Sequence, residues 1–242
     1  MYYDYGYGYG MGYYSSMIVL IPAIIFTLWA QGSIKSAYNK YSKVRNSLNI
    51  SGMEAARRML DANGLSYIPI NIIGGSDLSN YYDPKNKTLN LSNAVYQTPS
   101  IAAMCIACHE AGHAIQDAVG YKAMNFRSAI VPVVNLTQHL SWPLIILGLI
   151  LTTTSYYGNM MFNLGVICFC VVVLFHLVTL PVEFNASNRA LEQMQTLGMV
   201  NDADYAGSKK VLRAAAMTYV AALATAIANL LRILIMFAGR RD

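Results

Sequence analysis

Scarcity of charge constrains the fold of this chain more than any motif does. Of its 242 residues, 12% are Asp, Glu, Lys or Arg and 55% are hydrophobic, whereas an average soluble domain is about 25% charged. So few charges cannot cover the surface of a soluble globule, and the chain reads as an integral membrane protein. Four apolar stretches carry the excess, at 17–32, 129–151, 160–181 and 211–238. The first has no basic n-region and no small-x-small cleavage site, so it reads as an anchor and not as a signal peptide. The second and third, joined by the uncharged Thr152–Asn159, form a hairpin that leaves one face and returns to it. Pro181 is expected to end the third. Arg213 and Arg232 leave the fourth open between spanning and lying in the interface.

The remaining sequence divides around these stretches. Residues 1–16 are a Tyr/Gly-rich tail expected to be flexible. Net charge is +5, and Lys35, Lys40, Lys43 and Arg45 follow the first apolar stretch directly. The positive-inside rule then places the N-terminus outside the plasma membrane and residues 33–128 in the cytoplasm. No stacking aromatics or basic groove point to nucleic acid as a partner. Within 33–128, Ser51-Gly52-Met53-Glu54 is a capping box that predicts a helix ending at Gly64. Tyr67–Ile73 and Thr88–Leu91 have strand composition, with a turn at Asp83-Pro84-Lys85-Asn86 between them, and so predict a hairpin. Such a sheet is either a scaffold or an edge that takes substrate as an added strand. Pro99 opens a helix to about Val119, and 182–210 is a second cytoplasmic segment, polar and helical, broken near Gly198.

The helix at 99–119 carries His109-Glu110-Ala111-Gly112-His113. Positions i and i+4 share a helix face, so both imidazoles can bind one cation, and the Glu between them projects beside it. Two His ligands with an adjacent general base are the equipment of a zinc hydrolase. A catalytic zinc takes three protein ligands and keeps one position open. Gln116 and Val119 stand where an HExxHxxGxxH pattern needs Gly and His, and no Glu occurs between the motif and Glu183. Two crossings separate Glu183 from His113, which returns it to the same face, and a lone carboxylate at a helix exit needs a partner. Glu183 is therefore the expected third ligand, with Glu192, His139 and His176 as lesser candidates. Asp117, i+4 from His113, is either an orienter of a ligand imidazole or a solvated carboxylate.

The four cysteines form two close pairs, Cys105/Cys108 and Cys168/Cys170, without the spacing of a disulfide framework. Cys105-Ile106-Ala107-Cys108-His109 also matches the c-type haem attachment pattern. That chemistry belongs outside the cytoplasm, and it would take His109 from the better motif. Cys105 and Cys108 read instead as small residues packing the helix.

Several segments together carry a family resemblance: Asn39–Arg45, Ser51–Arg58, Tyr82-Asp83-Pro84, Leu91-Ser92, His109–His113 and Leu180–Ser187. Over about residues 17–241 the chain resembles the YugP family of neutral zinc metallopeptidases. That likeness implies an integral membrane zinc peptidase. A looser likeness links it to the HtpX and prenyl-protein endopeptidase group, in which the downstream Glu lies in an E-x-x-A-D stretch and the Asp supports a zinc-binding His. Here Glu183-Phe184-Asn185-Ala186-Ser187 departs at the last position, so Ser187, Asn188 or Asp117 is left for that role.

The expected protein is thus mainly α, with about four transmembrane helices and a small α+β HExxH metalloprotease portion on one membrane face. His109, His113 and Glu183 bind one Zn²⁺ per chain. Glu110 is the general base, and Arg189 supports the oxyanion or forms a structural ion pair. Substrates are membrane proteins or peptides met at the bilayer surface. The competing class is a non-enzymatic membrane metal-binding or transport protein using the same ligands.

Overall fold

The computed structural model describes residues 16–74, 79–151 and 156–238. The tail at 1–15 and half of the uncharged Thr152–Asn159 turn lie outside the described residues. In chain order the elements are α1 (Leu20–Tyr41), α2 (Gly52–Ala62), β1 (Ile70–Ile73), β2 (Tyr81–Asp83), β3 (Thr88–Ser92), α3 (Asn93–Gln97), α4 (Ile101–Ala118), α5 (Lys122–Leu151), α6 (Tyr156–Thr196) and α7 (Asp202–Ala238). Four helices, Ser16–Tyr41, Lys122–Leu151, Tyr156–Thr196 and Asp202–Phe237, are long and apolar enough to cross a membrane. The fourth apolar stretch is thus long enough to span, and its helix begins at Asp202, before the apolar run itself.

The chain divides into two compact units. One comprises the described residues up to Trp29, Phe126–Thr179 and those from Tyr219 onward. Its aliphatic side chains, such as Ile25, Leu136 and Ile167, face outward, as they do on a surface solvated by lipid. Inside, Phe162 stacks on Phe237 with ring centroids 4.0 Å apart, among Ile145, Phe169 and Ile233. A Cβ on Gly148 would stand 2.5 Å from the Phe162 backbone nitrogen. Helices packed in lipid approach this closely through small residues.

The second unit comprises Ala30–Asn125 and Leu180–Thr218. The capping box forms as its sequence predicts: Ser51 Oγ accepts from the Glu54 N–H at 3.2 Å, and Glu54 Oε2 accepts from the Ser51 N–H at 2.7 Å. Apolar residues of α2 then face inward, with Met59 and Leu60 fully buried against Met104, Met194 and Met199. Asn201 Oδ1 caps α7 through the Asp204 N–H, and Asp204 Oδ2 in turn accepts from the Ser47 N–H at 2.7 Å.

Two features depart from the sequence reading. The expected hairpin of the first and last strands is not formed. The order is β1-β3-β2, with β1 parallel to β3 and β2 antiparallel to it. The Asp83–Asn86 turn joins β2 to β3, where Asp83 Oδ1 accepts from the Lys85 and Asn86 N–H groups. The second departure is in α6, where Pro181 does not end the helix but lies inside 41 continuous residues, Tyr156–Thr196. Proline removes one intrahelical bond. The turn beyond it is held from outside by Gln116, whose Nε2 donates to the Val182 carbonyl at 2.8 Å and to Asn185 Oδ1 at 3.0 Å. Val182, Ala186 and Ala190 are fully buried there, so packing outweighs the lost bond. The third apolar stretch and the beginning of the polar segment from 182 thus belong to one continuous helix.

Candidate metal centre and active site

α4 begins at its cap Ser100, whose Oγ accepts from the Ala103 N–H at 3.1 Å. It presents His109 and His113 on one face, and α6 brings Glu183 opposite them. Glu183 Oε2 lies 3.3 Å from His109 Nε2 and 3.6 Å from His113 Nε2. The three candidate donor atoms all fall within 4.8 Å of one another. The two imidazoles stand nearly perpendicular, at 82°.

The helices meet this closely because of Gly112. A Cβ there would stand 2.8 Å from the Ala186 carbonyl oxygen, so an L side chain cannot be accommodated without separating α4 from α6.

Each imidazole is fixed through its other nitrogen. His113 Nδ1 lies 2.9 Å from Gln116 Oε1. Gln116 is fully buried, and its Nε2 is engaged by two oxygens, Val182 O and Asn185 Oδ1. Its Oε1 must therefore accept, which makes His113 Nδ1 the donor and leaves the Nε2 lone pair directed at Glu183. His109 Nδ1 lies 3.2 Å from Ser187 Oγ, which can accept in the same way. Arg189 Nε donates to Asn185 Oδ1 at 2.8 Å. The network thus runs from Arg189 through Asn185 and Gln116 to His113.

The donor set suits zinc: two imidazole nitrogens and one carboxylate oxygen. Tetrahedral ligands at 2.0–2.1 Å stand roughly 3.4 Å apart, close to the two carboxylate–imidazole separations above. Burial works against a charged His113, but contact with Glu183 and the charge of Glu110 outweigh it and raise its pKa. The pocket is built for positive charge between these groups.

Glu110 is held by β2. Its Oε2 accepts from the Tyr82 N–H at 3.1 Å. Burial raises its pKa, opposed by the charges of His109 and His113. The Tyr82 hydroxyl donates to Asp117 Oδ2 at 2.7 Å, and Lys87 pairs with the same carboxylate. Glu110 and Asp117 are seven residues apart, two helical turns. Tyr82 therefore clamps the sheet to α4 at both ends of that interval, through its backbone and its ring. Burial and the Asp117 contact both push its hydroxyl pKa up.

The structure leaves the other candidates outside the cluster. Asp117 is engaged by Tyr82 and Lys87, and Gln116 is the residue on His113. Glu192 is exposed on the far face of α6, His139 is exposed on α5, and His176 rests beside Phe175. Cys105 and Cys108 are fully buried. Burial pushes the Cys108 thiol up to about 12, and its sulfur is not among the clustered donor atoms.

A membrane-anchored chain with this HExxH helix and a downstream carboxylate has the make-up of a zinc metallopeptidase. Residues 16–238 match the family model described as "Putative neutral zinc metallopeptidase", and the chain belongs to that family. It is similar to "Putative membrane protease YugP" of Bacillus subtilis (strain 168), with 41% identity over 226 residues, 93% of this chain and 98% of that protein. No solved structure matches the chain significantly.

Proposed function

We propose that the protein is a membrane-embedded zinc endopeptidase that cleaves membrane proteins or membrane-bound peptides next to the bilayer. The observation that carries this reading is the convergence of His109 Nε2, His113 Nε2 and Glu183 Oε2, with both imidazole Nδ1 atoms engaged, beside a Glu110 held by backbone. His109, His113 and Glu183 would hold one zinc. Bound there, zinc supplies Lewis acidity, polarising a substrate carbonyl and lowering the pKa of a water molecule toward 7. Glu110 takes the proton from the attacking water and returns it to the leaving amine. The Tyr82 N–H keeps the Glu110 carboxylate on the cleft side of α4. Gln116 and Ser187 hold the imidazole tautomers, and Arg189 acts behind them as a positioning residue through Asn185.

Glu183 lies four residues beyond Thr179, about 6 Å of helix rise, which favours substrates presented at the membrane surface. The Tyr82 N–H points away from β3 toward Glu110, so an extended substrate lying along this edge would run past the base. Lys35, Lys40, Lys43 and Arg45 after the first span favour a cytoplasmic site in the plasma membrane.

The test is zinc content, by elemental analysis, of detergent-purified wild type, Glu110→Gln and Glu183→Ala, with cleavage of a casein-like and a membrane-tethered substrate assayed in parallel. The expected result is about one zinc per chain in wild type. Glu110→Gln keeps that zinc without activity, Glu183→Ala loses it, and the tethered substrate is cleaved faster. Glu110→Gln with unaltered turnover would overturn the assignment of the base. Full zinc in Glu183→Ala would overturn the ligand set, and equal rates on both substrates would refute the membrane-surface reading.

A further inference from the structure

Between α6 and α7 the second unit contains a cavity of about 460 Å³, within the range of about 300–1,000 Å³ typical of small-molecule sites. The metal centre does not use it. The cavity borders that centre only through Ser187, on the Nδ1 side of His109. The connection from α6 to α7 is short, so the two helices run antiparallel and the cavity wall can be ordered along them. At one end stand Phe184 and Ala216, five residues past Thr179 and three before Tyr219, nearest the apolar stretches of their own helices. One turn further along come Arg213 on α7 and Ser187 and Asn188 on α6, and Leu212 and Leu191 follow them. Lys209 with Glu192 across from it comes next, and Gln195 and Tyr205 close the other end.

The two ends of the cavity therefore differ: the end nearest the apolar stretches of its helices is lined by Phe184 and Ala216, and the far end by Lys209, Glu192, Gln195 and Tyr205. Its cations outnumber its anion, Lys209 and Arg213 against Glu192. Among the described residues neither cation is in an ion pair. Lys209 Nζ lies 5.7 Å from the Tyr205 ring centroid, and Arg213 is exposed.

We propose that this cavity binds one anionic phospholipid, with its phosphate between Lys209 and Arg213 and its acyl chains leaving past Phe184 and Ala216. A small anion would use the two basic groups and leave the apolar end unfilled. An amphiphile fits both ends in the order the cavity presents them. The inference is independent of the catalytic reading.

The full chain, purified in detergent and exchanged into micelles doped with phosphatidylglycerol or phosphatidylcholine, is examined by native mass spectrometry. Wild type is expected to retain one phosphatidylglycerol in preference to phosphatidylcholine. Each basic residue removed should reduce that preference about fivefold, so Lys209→Gln/Arg213→Gln brings the two lipids close to parity. Lys35→Gln/Lys40→Gln removes the same charge outside the cavity and should leave the preference intact. Asn188→Trp, at an exposed position on the wall, fills the space without removing charge and should also expel the lipid. Retention by both cavity variants, equal loss in the control pair, or displacement by millimolar inorganic phosphate would overturn the proposal. Zinc content measured on the same samples keeps its failure distinct from that of the catalytic site.

Discussion

Replacing Gly112 by Ala would test whether the metal centre depends on the close approach of two helices. The new Cβ would stand 2.8 Å from the Ala186 carbonyl oxygen, with the Ala186 Cα at 3.4 Å. Carbon and oxygen in ordinary contact need about half an ångström more, and both obstructing atoms are backbone, so α6 must move away from α4. Glu183 sits one turn before Ala186 on the same helix and moves with it. Zinc sites hold ligand distances to about 0.2 Å, so a displacement of that size exceeds what the site absorbs. Overpacking costs about 1–3 kcal/mol, offset by about 1 kcal/mol from the better helix propensity of Ala. The net destabilisation is therefore small, about 0–2 kcal/mol by the same two terms, and the fold survives. Zinc affinity should fall by about 10–100-fold, the scale seen when support of a ligand is lost. Competition with a chromophoric chelator gives the affinity, and thermal unfolding in detergent gives the stability. Zinc affinity within twofold of wild type would refute the claim that Gly112 sets the ligand geometry.

Three further outcomes follow from the same structure. Gln116→Leu removes the acceptor of His113 Nδ1–H and should lower zinc affinity about 10–100-fold, read by the same competition; unchanged affinity would show that the tautomer is set elsewhere. Tyr82→Phe removes a hydrogen bond to a charged group worth about 1.5–3 kcal/mol, leaving Asp117 with Lys87. It should lower the melting temperature and reduce kcat with little change in KM, and a change confined to KM would contradict a positioning role. Hydrogen bonds from Ser51 depress the Glu54 pKa. Its stabilisation is therefore fully present above the unfolded value of about 4.3 and is lost as pH falls through the lower folded value. The stability gap between wild type and Glu54→Ala should close on acidification from pH 6 to 3, and a gap that stays constant would exclude the capping box as its source.

Much of the site was legible because its chemistry is local. Two His four residues apart on a helix need no tertiary information to share a face. Glu183 emerged by elimination, since few carboxylates follow the motif. Gln116 was missed because it was weighed only as a failed Gly in a longer motif. A clearer signal was available: a polar residue three positions after a candidate ligand on a helix otherwise lined with small apolar residues. Asp117 drew attention by its charge, yet its partners lie in β2 and the following turn. The strand β2 is three residues long, too short for an alternation pattern, and its pairing is set by α4 as much as by β3. Pro181 misled because local propensity cannot register Gln116, 66 residues away in sequence, holding the turn that follows it. Ser187 lies against His109, a contact that its distance in sequence hides.

His109 and its partner Ser187 are 78 residues apart, and α5 and most of α6 lie between them. The donor set does not exist in a chain that has only begun to be synthesised, because the motif helix is complete before the residues carrying Glu183 have been made. The three donors can therefore converge only after α5 and the first part of α6 have been made and α6 has packed against α4. Convergence of the three donors is thus a late event in the making of this chain, and it reports that α6 has returned to α4.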